Sequence, residues 1–385
     1  MEIKNLKKAA DRIKTAIKNK EKIILYGDAD LDGIASVIIL KESIKNMGGD
    51  VASVYFPSRE NEGYGITKTA LDSLKELSPA LFLTLDCGIS NFEEVKQAKR
   101  MGFEVVIVDH HEILDRLPDA SIVVDPKQKG DKYPFKGLAA AGLAYKLSQA
   151  LLKNKFSDSL KKNFLELTAL ATLADMMPQE ADNKEMTEEG LSVLRNTWRP
   201  GLRAFFETEE IKDSETFRET CQKIISALNT IEVKDRFPET YLLLTADSLE
   251  EAKVKAENLL SKRGEKQQEI REIVEEVESR LLKKIKEPII FEGNSTWPLA
   301  LLGAAAARIC HKHQKPTFLF RKQGTESRGA VRVPTGTSAV EMMKKCSKYL
   351  VGYGGHPQAA GFSVKNENLE KFEKCLIESL SLNQP

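Results

Sequence analysis

At 385 residues the chain is long enough for two or three domains, and its 41% hydrophobic and 30% charged residues are those of a soluble globular protein. Its 58 Lys and Arg against 57 Asp and Glu leave a net charge of +1, which excludes a global field for polyanions, so any nucleic-acid contact must come from a local basic surface. Five scattered cysteines (Cys87, Cys221, Cys310, Cys346 and Cys375) without CxxC spacing read as reduced thiols of a cytoplasmic protein, and no apolar run is long enough to span a bilayer.

Near the start of the chain, Ile3, Leu6, Ala10, Ile13 and Ile17 recur at helical spacing opposite Lys7, Lys8, Lys14 and Lys18. Glu2, Asp11 and Glu21 interrupt the basic face, so this reads as a surface helix rather than a transit peptide. Strands are predicted over residues 23–26, 51–56, 81–85, 104–108 and 121–124, with helices over 34–47, 71–77 and 92–101 between them. Strands this apolar, separated by helices, imply a buried parallel sheet, doubly wound, in an α/β fold. Helices over 137–152 and 163–174 cover it, and a helical segment continues to about residue 245. Residues 248–286 are highly charged and carry Leu259, Leu260, Ile270, Ile273, Val274, Val277, Leu281 and Leu282, the pattern of a long connecting helix. Strands are expected again over 288–291, 317–320, 329–333 and 361–364, in a smaller α/β domain. The expected division is 1–190, 191–286 and 287–385.

Three predicted strands run directly into an aspartate: Leu25-Tyr26-Gly27 into Asp28, Leu83-Thr84-Leu85 into Asp86, and Val106-Ile107-Val108 into Asp109. Ligands of open α/β sheets bind beyond the carboxyl ends of the strands, so these acids converge on one rim. Asp30 and Asp32 add two carboxylates within a turn, and His110 and His111 follow Asp109. So many like charges together are costly unless cations neutralise them. Asp28 and Asp32 are individually compatible with turn or helix-cap roles, but three equivalent strand ends point to a metal site. Carboxylates with imidazoles suit Mn²⁺ or Mg²⁺, and two such ions can serve a phosphoryl displacement. His311 and His313 close a predicted helix and read as surface residues. Gly354-Gly355-His356 reads as a flexible turn presenting N–H groups to phosphate. No GxxxxGK[ST] loop and no complete GxGxxG is present.

In order, Asp28-Ala29-Asp30-Leu31-Asp32-Gly33, Leu85-Asp86-Cys87-Gly88-Ile89-Ser90, Asp109-His110-His111 and Thr172-Leu173-Ala174-Asp175 resemble the four motifs of the DHH phosphoesterase superfamily. The stretch Gly354-Gly355-His356-Pro357-Gln358-Ala359-Ala360-Gly361 resembles the glycine-rich signature of its DHHA1 domain. The D-x-D-x-D-G spelling is similar to the RecJ branch, single-strand-specific 5′→3′ exonucleases. This resemblance implies a DHH domain joined by a long helix to a DHHA1 domain, with a cleft for single-stranded DNA or RNA. It implies Asp30, Asp32, Asp86, His110 and Asp175 as ligands of two Mn²⁺ (or Mg²⁺) ions, with Asp86 bridging. His111 would face the scissile phosphate, with Asp28 and Asp109 as orienting groups. Arg308, Ser327, Arg328, Gly354, Gly355 and His356 would grip substrate phosphates. Replication or repair proteins are the partners it suggests; oligomeric state stays open.

Several positions depart from that pattern. Tyr26 stands where many members carry a metal-binding His, Trp297-Pro298 replaces a Trp-His pair, and the middle segment is reduced to Asn229-Thr230 with Arg236 further on. The chain also ends roughly twenty residues after the glycine-rich motif, so without an OB-fold weaker and less processive strand binding is expected. The expected activity is a metal-dependent exonuclease releasing nucleoside 5′-monophosphates. A phosphodiesterase on short oligonucleotides or cyclic dinucleotides, and a non-catalytic replication or repair scaffold, are the alternatives.

Overall fold

In the computed structural model, which describes residues 2–113, 116–229, 233–234, 236–281 and 287–381, strands β1 (Ile23–Gly27), β2 (Ser53–Tyr55), β3 (Ala80–Leu85), β4 (Phe103–Val108) and β5 (Ile122–Val124) form an all-parallel sheet. Their order is β2-β1-β3-β4-β5, so the connection reverses direction between β1 and β3. That reversal is the topological switch point at which open α/β sheets bind ligands. β1 and β3 are buried along their whole length. Ile23, Leu25, Leu81, Leu83, Val106 and Val108 pack on one face, and Ile24, Tyr26, Phe82, Val105 and Ile107 on the other. Burial on both faces explains why these strands read as continuous apolar runs rather than alternating ones.

Helix α1 (Leu6–Asn19) lays Leu6, Ala10 and Ile13 into the first face and leaves its lysines outside, as expected for a surface helix. α2 (Leu31–Asn46) is buried over most of its length, being covered by α5 (Ala140–Leu152) and α6 (Asp158–Ala174). α3 (Lys68–Leu74) and α4 (Phe92–Arg100) belong to the opposite face. The helical segment that follows comprises α7 (Ala181–Leu194), α8 (Pro200–Glu207), α9 (Glu209–Lys212), α10 (Phe217–Leu228), a small hairpin of β6 (Val233–Lys234) and β7 (Phe237–Pro238), and α11 (Glu239–Leu244). Buried Arg199 donates within this layer to the Leu244 carbonyl (2.8 Å) and ties it to the sheet helices through Asn163 (2.7 Å) and Glu42 (2.9 Å). The expected long helix is α12 (Leu249–Leu281); its last predicted residues, 282–286 with Leu282, lie outside the described ones, as does Thr230.

The chain divides into two units, Met1–Arg263 and Gly264–Pro385. The second holds β8 (Ile290–Asn294), α13 (Leu299–His313), β9 (Thr317–Gln323), β10 (Glu326–Arg332), α14 (Ala339–Lys345), β11 (Leu350–His356), β12 (Ala359–Lys365) and α15 (Leu369–Ser381). The sheet order is β11-β12-β10-β9-β8, antiparallel except for the β8–β9 pair. α13 packs with Ile270, Ile273 and Val277 of α12 in one apolar cluster. Phe291, Phe318, Phe320, Phe362 and Phe372 form a mutually contacting aromatic group. His313 is held by Glu278, 2.8 Å away, within this unit.

Two expectations are corrected here. Gly354-Gly355-His356 is not a turn: it ends strand β11, with Gly354 opposite Gly361 and His356 opposite Ala359. Edge pairing with β12 overrides the local turn preference of a Gly-Gly pair, and Pro357-Gln358 make the reversal instead. The cysteines are not all reduced thiols: Cys346 and Cys375 form a disulfide, Cα–Cα 5.9 Å. Cys346 caps α14 and Cys375 lies on α15, and these helices pack together, so the fold joins residues that the sequence separates by 29. Cys87, Cys221 and Cys310 are free and buried.

Candidate metal centre

Register, more than composition, builds the site. Gly27 pairs with Leu85, Leu85 with Val108, and Val108 with Val124, so the next residue of each strand falls on one row. Those residues are Asp28, Asp86, Asp109 and Asp125, and the ladder carries through them. Asp28 N donates to Leu85 O (3.2 Å), Asp86 N to Val108 O (3.0 Å) and Asp109 N to Val124 O (3.1 Å). Asp86 sits in the left-handed region at φ +63°, a conformation that Asp and Asn tolerate better than most residues.

The Asp28–Gly33 loop turns directly into α2. Asp30 is the helix N-cap and accepts the Gly33 N–H at 3.1 Å. A Cβ on Gly33 would lie 2.3 Å from the Asp28 carbonyl oxygen, so only glycine permits this turn. Asp32 is buried, and its two oxygens accept the Ala140 and Ala141 N–H groups, each at 2.8 Å. These are orphan donors at the start of α5, where the helix dipole favours a carboxylate.

His110 is fully buried. Its Nδ1 lies 2.9 Å from the Leu138 carbonyl oxygen, which can only accept, so Nδ1 donates there and Nε2 faces the acids. Nε2 stands 3.0 Å from Asp86 Oδ1, 3.6 Å from Asp32 Oδ2 and 3.6 Å from Asp175 Oδ2. Asp32, His110 and Asp175 present ligand atoms within 4.8 Å of one another, as do Asp28, Asp30 and Asp86. Asp86 Oδ1 is buried and makes no hydrogen bond among the described residues. Burial, then the neighbouring acids, pushes Asp32 and Asp86 well above the usual carboxylate range, and Asp175 up to about 7. Stacked carboxylates around an oriented imidazole suit a hard divalent cation, and the Leu138 carbonyl behind His110 is the kind of outer partner that metal-binding histidines require.

Beside this cluster, Asp109 Oδ1 accepts from the His110 N–H (2.7 Å) and from His111 Nδ1 (2.8 Å), and Oδ2 accepts the Ile89 N–H (3.0 Å). Burial opposes both charges of the Asp109–His111 pair, but their attraction wins. It holds Asp109 far below the usual range and raises His111 to about 9. Asp28 is raised by burial, which outweighs the Arg59 guanidinium against it.

Tyr26 turns away from the acids. It is buried, stacked on Tyr55 at 5.5 Å, with its hydroxyl donating to the Gly65 carbonyl at 2.8 Å.

Five further residues belong here; sequence reasoning missed four of them and named only Asn229, in the reduced middle segment. Arg59 donates to both Asp28 oxygens and to Asp30 (2.8 Å). Tyr64, half exposed, sets its hydroxyl 3.1 Å from His111 Nε2. Lys127 donates to the His110 carbonyl (2.6 Å). Asn229 accepts the Leu31 N–H beside Asp30 (3.3 Å). Asp125 is the fourth strand-end acid, raised to about 7 by burial and by Asp109. Of the four missed, only Asp125 had a signal, the short apolar run 121–124 ahead of it.

Asp28, Asp30, Asp32, Asp86, Asp109, His110, His111 and Asp175 thus meet in the first unit. The other candidates belong to the second. Arg308 on α13 and Arg328 on β10 are exposed, whereas Ser327 is buried and donates to Asn366 Oδ1 at 2.6 Å. As successive residues of β10, Ser327 and Arg328 point to opposite faces.

Residues 22–172 match the model of the DHH family, N-terminal domain, and residues 286–381 that of the DHHA1 domain. The single-stranded-DNA-specific exonuclease RecJ of Bacillus subtilis is 34% identical over 384 residues, 98% of this chain and 48% of that protein, so the chain spans about half the length of this relative. RecJ of Thermus thermophilus is 28% identical over 100% of this chain and 55% of its own length. A crystal structure of exonuclease RecJ bound to manganese superposes with TM-score 0.78 at 27% identity, over 100% of this chain and 96% of that one. The crystal structure of Thermus thermophilus RecJ in complex with Mn²⁺ gives TM-score 0.82 at 26% identity, over 100% of this chain and 56% of that one. No helix among the described residues is long and apolar enough to cross a membrane.

Proposed function

The chain belongs to the DHH family and carries a DHHA1 domain, and from that premise we propose that it is a metal-dependent exonuclease of the RecJ kind, hydrolysing single-stranded DNA from 5′ to 3′ and releasing nucleoside 5′-monophosphates. The observation that carries this reading is His110 Nε2 within 3.6 Å of three carboxylates, Asp32, Asp86 and Asp175. Relatives that match nearly the whole chain are named single-stranded-DNA-specific exonucleases, and crystal structures of RecJ hold Mn²⁺.

In this reading Asp30, Asp32, Asp86, His110 and Asp175 hold two Mn²⁺ or Mg²⁺ ions. When bound, such ions supply Lewis acidity toward the scissile phosphate and offset the charge of the carboxylates. The chain's own groups do the rest. Asp109 keeps His111 protonated and oriented, so that the imidazolium offers an N–H to a phosphoryl oxygen. Arg59 neutralises Asp28 and Asp30, which face the same space. The exposed Tyr64 ring is a stacking surface for a base beside that phosphate. Arg308 and Arg328, with Gly354, Gly355 and His356, grip strand phosphates, whereas Ser327, buried and bonded to Asn366 on the face opposite Arg328, supports the strand instead. Arginine suits this through its planar fork. Residues 1–190 then carry hydrolysis, 191–286 connect, and 287–385 hold substrate. The protein acts in the cytoplasm, with RNA as a second substrate and replication or repair proteins as partners.

The test is a digestion of 5′-labelled single and double strands with Mn²⁺ or chelator. Expected are labelled mononucleotides from the single strand, with Mn²⁺ only. Intact label after prolonged incubation with Mn²⁺ would sink the reading.

A further inference from the structure

Helix α6 ends in a tight left-handed turn. Past the cap residue Asp175, the Met176 N–H donates to Leu173 O (3.2 Å) and the Met177 N–H to Thr172 O (3.1 Å). These two bonds define a Schellman motif, whose left-handed position is normally glycine, or sometimes asparagine. Here it is Met176, at φ +56°, where a Cβ meets steric resistance. Met177, the next residue, is buried, whereas Met176 is 82% exposed, the most exposed large apolar side chain among the described residues.

Two unfavourable choices therefore coincide: a side chain where the backbone prefers none, and an apolar one where the surroundings are water. Single exposed apolar residues are common and by themselves mean little. The left-handed backbone separates this one from them, because glycine or asparagine would suit it better. The turn also fixes Met176 directly after Asp175, whose Oδ2 is 3.6 Å from His110 Nε2. Neither core packing nor the turn accounts for the side chain.

We propose that Met176 is a substrate-contact residue, its thioether lying against the base of a nucleotide whose phosphate is at the centre. The inference rests on the reading of that centre as acting on nucleic acid. A methionine fits the task, being unbranched, polarisable and able to contact any base at its ring. It would favour strands with bases without selecting among them.

Binding tests this in a His110→Ala background, which prevents digestion. The affinity of a fluorescent single-stranded 12-mer is measured by anisotropy, beside an abasic strand of equal length. Met176→Asn suits the left-handed turn but lacks the apolar contact; Met176→Leu keeps an apolar group. Expected is a roughly 3- to 10-fold weaker binding of the base-bearing strand by Met176→Asn, recovered largely by Met176→Leu, with the abasic strand unaffected. The melting midpoint of Met176→Asn should be equal or higher, which a structural role would not give. Equal affinities of Met176→Asn and its parent for the base-bearing strand overturn the proposal, whatever the wild type digests. A base-dependent loss with no digestion by the wild type supports the contact while overturning the hydrolytic reading. A parent that binds neither strand overturns the contact, while digestion by the wild type decides the hydrolytic reading separately.

Discussion

Asp109 Oδ1 lies 2.8 Å from His111 Nδ1 and also accepts the backbone N–H of His110 at 2.7 Å, so one carboxylate oxygen governs both neighbouring histidines. Asp109→Asn keeps the shape but loses the charge. His111 should then fall from about 9 toward its ordinary 6.5. The expected outcome is a rate at pH 8 lower by roughly 10- to 100-fold, as for partners behind a reacting group. The alkaline limb of the pH–rate profile should shift to lower pH. An unchanged profile would show that this pair does not govern the reaction.

Without metal, stability should fall as pH rises. His111 is raised to about 9, Asp175 to about 7, and Asp32 and Asp86 also upward, so each binds its proton more tightly in the folded chain. The raised His111 contributes fully below 6.5, and that contribution is lost as pH rises through about 9. The raised carboxyls contribute most near 3.8, and lose it as pH rises through about 7 for Asp175. Asp109 and Asp30, held low, are ionised throughout this window and do not oppose the trend. Melting of the chelated protein should thus drop from pH 5 to pH 9, in the window roughly spanned by these groups. Mn²⁺ at about 100 times its Kd should restore about 2.7 kcal/mol at the alkaline end. A flat profile with chelator would contradict this.

Asp86→Asn separates backbone from charge. Asparagine accepts the left-handed φ of +63° as aspartate does. The variant should fold, and removal of a buried charge among like charges should raise metal-free stability. It should also lose most of the Mn²⁺-induced rise in melting temperature, and the activity with it. Retention of the full Mn²⁺ response would show that Asp86 is no ligand.

Arg59 is the counter-charge already in place for Asp28 and Asp30. Arg59→Ala leaves the buried Asp28 carboxylate uncompensated. Breaking such pairs costs about 3–5 kcal/mol when fully buried, and the partial exposure of Arg59 lowers the expected loss to about 2 kcal/mol. Denaturant unfolding with chelator measures it. Mn²⁺ should recover part of the loss, since a cation then replaces the guanidinium charge.

Much of this was readable in the sequence because one physical rule carried it. Parallel strands buried on both faces are apolar to their ends, so the acids that terminate β1, β3 and β4 stand out. The same rule reaches Asp125, since the predicted strand over 121–124 runs directly into it. Arg59 and Tyr64 lie in the loop after β2, where no periodicity marks a residue, and tertiary closure alone brings them to Asp28 and His111. The Gly354-Gly355 turn failed for the opposite reason: a strong local signal was overruled by pairing along β12. The Cys346–Cys375 bridge likewise depends on two helices meeting, which spacing does not encode.

The most direct measurement compares His110→Ala with the wild type on an end-labelled single strand at saturating Mn²⁺. His110 Nε2 faces Asp32, Asp86 and Asp175. The cleavage rate is expected to fall by at least about 100-fold, with the far-ultraviolet circular dichroism of the wild type retained. Cleavage by His110→Ala at the wild-type rate would contradict this.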